Sequence, residues 1–317
     1  MAVGDRVTLP GHVQVGELLL GPGTPYGWTS LTGWEDGPPL DNSSVPRAGA
    51  HGSIPGPLLA QSRIITMEGL SVRAEPGRAG EAVRPLAAAL APAEDEQPLV
   101  IQIDRAPPLM VWARCLRRML PVAVRGYALG QPRDGAVQWE CSDPRRYELA
   151  ERRATAGLPM AEPGLDWRVE QHDQDDGDQD DGPPPAAVEL GLDWPLDWGT
   201  PGSTGALTAR NDGDAEAHPL IRFRGPVTRP SLTCLESGAA IEYDITLAAG
   251  DELVIDTAAG TVVLNGTASR LYTATARSVP EQTLVIPPGV TSYAFRAAPG
   301  SASPAAAAEM RWRSAYW

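Results

Sequence analysis

The side chains able to make or break bonds are few and scattered. The histidines His12, His51, His172 and His218 stand far apart, and none sits in a zinc spacing. Cys115, Cys141 and Cys234 form no metal-type pair and no disulfide framework, which suits folding in a reducing compartment. The chain has no Gly-x-Ser-x-Gly elbow and no Gly-Lys-Ser/Thr phosphate loop. With 40 acidic residues, any pair of carboxylates drawn from the sequence for glycoside hydrolysis is uninformative. The run 172–182 holds six aspartates and no apolar residue. Framed on Asp173 as a calcium loop, its sixth position is Asp178 where glycine is required. Framed on Asp176, its twelfth is Ala187 where glutamate is required. Composition makes it a solvated, mobile loop over 172–185, with nonspecific calcium binding as the alternative. The expectation is therefore no catalytic, cofactor or metal residue, and no enzyme.

Aromatic residues are the remaining chemistry. Tyr243, Tyr272, Tyr293, Trp312, Tyr316 and Trp317 could stack on sugars, although strand aromatics at period two more often fill a core. Trp167, Trp194 and Trp198 each follow an aspartate and flank the acidic loop. This pattern predicts an arm over 154–201, and tryptophans are favoured anchors at interfaces between subunits.

The elements that must position these groups read mostly as strands. With 33 glycines and 32 prolines in 317 residues, 42% hydrophobic and 6% aromatic, the composition is that of a turn-rich, mainly β protein of two domains. Val7–Leu20 reads as one or two strands. Arg63–Gly69, Leu99–Ile103, Leu109–Trp112, Val122–Leu129 and Ala136–Glu140 follow, with one helix at Glu81–Leu90 closed by Pro92. A boundary falls in the glycine-rich stretch near Gly205, dividing the chain into 1–205 and 206–317. In the second part Leu253–Asp256 and Thr261–Leu264 form a hairpin, and Asn265-Gly266 makes a tight turn. Thr283–Ile286, Ser292–Phe295 and Met310–Trp317 complete a β-sandwich.

The net charge of −14 argues against a protein that grips phosphate backbones. No run approaches the ~18 apolar residues of a membrane span. The N-terminus lacks a signal peptide's apolar core, so folding in a cytoplasm is expected.

Several motifs, taken in order, resemble the distal tail protein of siphophages. These are Trp34–Asp41 followed by Gly49–Gly52, the strand Arg63–Gly69, and the helix Gly80–Leu90. Further on come the turn Asp143–Tyr147, the pair Asn211–Gly213 and Pro219–Gly225, and the closing Met310–Arg313. The resemblance implies a structural virion protein without cofactors, located at the tail tip and assembled in the host bacterial cytoplasm. It implies an N-terminal ring-forming domain, an arm that clasps the next subunit, and a galectin-like C-terminal sandwich. The implied partners are five further copies in a homo-hexamer, the tail tube protein, the tail-tip hub protein, and tape-measure and receptor-binding proteins. DNA would pass through the bore without sequence-specific binding. No galectin sugar-binding signature accompanies the likeness. The alternatives are a carbohydrate-binding module for host-wall attachment and, third, a wall hydrolase.

Overall fold

The computed structural model describes residues 2–160, 202–301 and 303–317. Two hydrophobic cores organise them. One gathers Val13, Leu20, Ile65, Leu86, Val111 and Trp139, the other Phe223, Ile255, Tyr293 and Met310.

The first core lies under an antiparallel sheet. In spatial order its main path runs Leu18–Leu20, His12–Val15, Gln97–Gln102, Leu109–Met119, Gly135–Cys141, Arg63–Val72 and Tyr26–Gly27. Alternation sets the faces: along Arg63–Val72, Ile65 and Met67 point inward while Ile64 and Thr66 point away. The helix Ala79–Ala89 contributes Leu86 to this core, and Tyr26 donates its hydroxyl to Ala82 O at 2.9 Å. Gly69 interrupts Arg63–Val72 with φ +65, and a Cβ there would lie 2.0 Å from Thr29 Oγ1. That strand therefore continues past the glycine at which the sequence pattern ends it.

Residues expected as a strand at Val122–Leu129 instead contain a second, five-residue helix, Val124–Ala128. The segment bridges two long antiparallel strands and pairs with neither. It closes its hydrogen bonds locally, Tyr127 N to Ala123 O and Leu129 N to Arg125 O, both at 3.0 Å.

The second core lies between the two sheets of a β-sandwich. One sheet has six strands, in the order Arg152–Gly157, Ala307–Trp312, Leu220–Arg224, Glu252–Asp256, Thr261–Leu264 and Ala268–Ser269. The other has four: Ala206–Asn211, Gly289–Arg296, Ser231–Cys234 and Ala240–Glu242. The rings of Phe223 and Phe295 stack between them with centroids 5.6 Å apart. Asn265 and Gly266, at φ +49 and +74, form the expected turn. Thr283–Ile286 is not a strand. Glu281–Thr283 is a single 3₁₀ turn, and only Ile286 bridges, to Ala217.

The chain enters the sandwich earlier than Gly205. Arg152–Gly157 pairs along its whole length with Ala307–Trp312, and Ala156 and Leu158 are buried in the second core. The first residues of the expected arm, Ala154–Gly157, are therefore sheet. Beyond them Met160 and Ser203 exchange two backbone hydrogen bonds, at 2.8 and 3.1 Å, which bring the two ends of the intervening segment together. Trp167, Trp194, Trp198 and the acidic loop lie outside the described residues.

Candidate assembly surface and domain junction

Two places stand apart from the rest of the fold. The first is a ribbon. Leu40–Asn42 pairs with Leu58–Ala60, and Val45–Pro46 pairs with Ser53–Ile54; among the described residues these strands pair with nothing else. Leu40, Val45, Ile54, Leu58 and Leu59 are 55–60% exposed. Five large apolar side chains on one solvent-facing ribbon are unfavourable for an isolated chain, the pattern of a surface that another polypeptide covers. The sequence offered only breakers here, Pro46, Gly49 and Gly52, so the stretch reads as a loop. The alternation Leu40, Asn42 and Leu58, Ala60 is too short to register as strand.

Arg63 holds the root of this ribbon. Its side chain is buried, and Nη1 donates to Gly33 O, Trp34 O and Asp36 O at 2.8, 3.1 and 2.6 Å, while Nε donates to Pro144 O at 2.7 Å. One guanidinium thus ties the segment leading into the ribbon to a turn more than a hundred residues later. Burial, with Arg146 nearby, lowers the Arg63 pKa from its ordinary value. Arg146 lies over the ring of Trp34 at 5.5 Å and pairs with Glu35 at 3.1 Å.

The second place is the junction of the two units. The strand Ala315–Tyr316 leaves the sandwich and pairs with Arg146–Glu148, which also pairs with Leu109 and Met110 of the first sheet. The expected single strand Met310–Trp317 is thus two strands in two different sheets. Met310 and Trp312 bury in the sandwich as their parity predicts, and the chain then crosses over at Arg313-Ser314.

Two sequence motifs meet around that crossing. In the turn Asp143–Tyr147, Arg145 clasps Asp143 with Nε and Nη2 at 2.8 and 2.9 Å, Tyr147 donates to the same carboxylate, and Arg145 Nη1 reaches Glu216 O at 2.8 Å. Burial alone would raise the Asp143 pKa. The bonds from Arg145 and Tyr147 outweigh it and hold the carboxyl below its usual range. In the pair Asn211–Gly213, the Asn211 amide donates to Ala215 O and Ile286 O, and its oxygen accepts from Ala315 N and Gly213 N. Gly213 lies so close to the crossing strand that a Cβ there would sit 1.7 Å from Ala315 O.

The other side chains flagged in the sequence have structural places. His12 is buried; its Nδ1 accepts from Thr8 N and Leu9 N at 3.2 and 3.3 Å, and Nε2 faces Pro22 O at 2.9 Å. His51 is exposed at the ribbon tip and His218 lies at the junction. All three thiols are buried, and burial pushes Cys141 up to about 12, far from a reactive thiolate. Of the candidate stacking aromatics, Tyr243, Tyr293 and Trp312 are core, while Tyr272 stands free in solvent. No group of three metal-ligating side chains occurs among the described residues.

The outer face of the six-stranded sheet is different again. Glu309 is buried there between Arg311 and Arg224, the latter at 3.3 Å, and Arg222 pairs with Glu252 at 3.0 Å. Burial raises the Glu309 pKa, and its hydrogen bond from Arg311 more than offsets that, so the group stays ionised.

Two β units are stitched by a shared strand, and the first of them bears an apolar ribbon. Residues 212–316 match the family model described as siphovirus-type tail component, C-terminal domain. The fold is similar to the crystal structure of SPP1 Dit (gp 19.1), a paradigm of the hub adsorption apparatus in phages infecting Gram-positive bacteria. That similarity has a TM-score of 0.58 at 10% identity and covers 92% of this chain and 94% of that one. A chain of the phage P2 baseplate in its activated conformation with Ca aligns with a TM-score of 0.48 at 10% identity, over 95% of this chain and 96% of that one. No curated protein matches the sequence. Over residues 212–316 the chain is thus similar to the siphovirus-type tail component C-terminal domain, and its described fold is similar to that of SPP1 Dit.

Proposed function

We propose that this protein is a structural distal tail protein, six copies of which form a ring joining the tail tube to the tail-tip or baseplate hub. The observation that carries this reading is the apolar ribbon Leu40–Ala60 on a Dit-like fold. A closed ring needs a heterologous contact, one patch of each copy meeting a different patch of the next. The ribbon supplies such a patch on either face, since Leu58 and Leu59 alternate across it, and covering a large apolar side chain with a neighbour is worth roughly 1.5–3 kcal/mol for each one fully buried. In this reading the clasp expected at 154–201 is supplied first by the ribbon, with Trp167, Trp194 and Trp198 as a second set of anchors. The functional division then falls near residue 150, and the 161–201 segment is an insertion into the sandwich unit.

The ring's bore passes DNA and is lined by acidic or neutral groups, consistent with the net charge of −14. The protein makes and breaks no bond, resides in the virion tail tip, and is assembled in the host cytoplasm. Its neighbours are the tube and hub proteins.

Light scattering and negative-stain micrographs of the purified protein test this reading. The expected result is a hexamer with a central hole, alone or on addition of the tail tube protein. A strictly monomeric chain under both conditions would overturn it. The double substitution Leu58→Asp, Leu59→Asp is expected to abolish the ring while leaving Tm unchanged. Rings that persist in this variant would remove the ribbon from the contact.

A further inference from the structure

The junction leaves a cleft of about 270 Å³ between the two units. Trp112 reaches it from the first sheet and is 42% exposed. Glu151, His218, Asp256, Arg311 and Arg313 line it from the connection and the sandwich. Part of this lining is already engaged. Arg311 is bonded to Glu309, and Arg313 donates to the carbonyls of Glu148 and Leu149.

Four groups are left with capacity. The ring of Trp112 presents an aromatic face. Glu151 lies 3.8 Å from Arg311, too far for a hydrogen bond. Asp256 uses Oδ1 for Ala258 N and Ala259 N, both at 2.9 Å, and among the described residues Oδ2 takes no hydrogen bond. His218 Nδ1 is buried without a partner among the described residues. Burial and the neighbouring Arg145 lower the His218 pKa, so the ring is neutral near pH 7.

We propose that this cleft binds a neutral saccharide ring. Glu151 and Asp256 disfavour an anion, and Arg311 and Arg313 disfavour a cation, so the balance favours an uncharged ligand. Carboxylate oxygens accept from hydroxyls, and the Trp112 face takes the C–H face of a pyranose. The volume lies just below the ~300–1,000 Å³ usual for small-molecule sites, which suits one ring and not a long oligosaccharide. The site draws Asp256 and Arg311 from the outer face of the six-stranded sheet and Trp112 from the first unit, and it is complete within one copy, so it does not depend on ring assembly.

Saturation-transfer NMR on the full chain tests it, with methyl glucoside, methyl galactoside, methyl rhamnoside and N-acetylglucosamine at millimolar concentration, and with arginine amide and inorganic phosphate as charged controls. The expected result is transfer to at least one saccharide. That transfer should weaken at least about tenfold in Trp112→Ala, weaken in Asp256→Asn, and stay unchanged in Tyr272→Ala, an exposed aromatic outside the cleft. No transfer to any saccharide, transfer that survives both Trp112→Ala and Asp256→Asn, or displacement by arginine amide or phosphate would overturn the proposal. None of these outcomes alters the oligomer readout, so the site and the ring fail or stand separately.

Discussion

The ribbon Leu40–Ala60 and the outer face of the six-stranded sheet are both antiparallel β surfaces turned to solvent, and they are finished in opposite ways. The sheet face is covered by a lattice of arginines and carboxylates: Arg222 with Glu252, and Glu309 between Arg224 and Arg311. The ribbon carries leucines, a valine and an isoleucine with no cover. The contrast extends to the units that bear them. Of the twenty large apolar residues exposed among the described residues, fourteen precede residue 150. A charged sheet face is already at peace with water, whereas an apolar one is at its lowest free energy only when another polypeptide lies on it. On the proposed reading the first unit is the one that assembles, and the sandwich presents a face that stays solvated.

The contrast can be broken at its supports. Arg63→Ala has the largest expected effect on folding. It strips the ribbon root of its clamp and leaves four carbonyls without their donor, at a cost of about 3 kcal/mol or more. Thermal or urea unfolding should show that loss, together with faster hydrogen exchange over 33–36; a variant as stable as the parent would mean the ribbon needs no root. Gly213→Ala comes next. Its Cβ must push the crossing strand at Ala315, an overpacking cost of about 2 kcal/mol. Unfolding followed separately in each core should then lose coincidence if the shared strand is what couples them.

Acid should loosen the same junction. The His218 pKa is lowered by burial first, then by Arg145, with Asp143 and Glu216 acting the other way. The Asp143 pKa is held below its ordinary value by Arg145 and Tyr147 despite burial. Both groups contribute stability that is present above their unfolded pKa values and lost as pH falls through the folded ones. Tm should therefore decline from below about pH 6.5 and again below about pH 4. The first step should be absent in His218→Gln, and a first step that remains there belongs to another group. Glu309→Gln is expected to be the mildest, about 1 kcal/mol, because the arginines it releases are partly exposed. It should leave the oligomer intact, in contrast to substitutions on the ribbon.

The legibility of the fold varied with how local its causes are. The hairpin Glu252–Asp256 and Thr261–Leu264 was readable because alternation and the small-residue turn Ala258-Ala-Gly260 specify it within a dozen residues. The junction was half readable. Asp143–Tyr147 and Asn211–Gly213 stood out as motifs, but their common target, the strand Ala315–Tyr316, was hidden in what looks like one continuous strand. Trp112 was read as a strand residue and nothing more, since its partners in the cleft, from Glu151 to Arg313, are scattered along the rest of the chain.

By itself the sequence determined the β class, the inward and outward parity of most strands, and the tight turns, all of which rest on side-chain period and on backbone angles that few residues tolerate. Tertiary structure alone decided that residues 40–60 form a projecting ribbon and that the last strand belongs to the other sheet. It also decided that Arg152–Gly157 opens the sandwich and does not begin an arm. The physical reason is that a strand's hydrogen bonds are made to another strand, and nothing in a segment's own composition says which one.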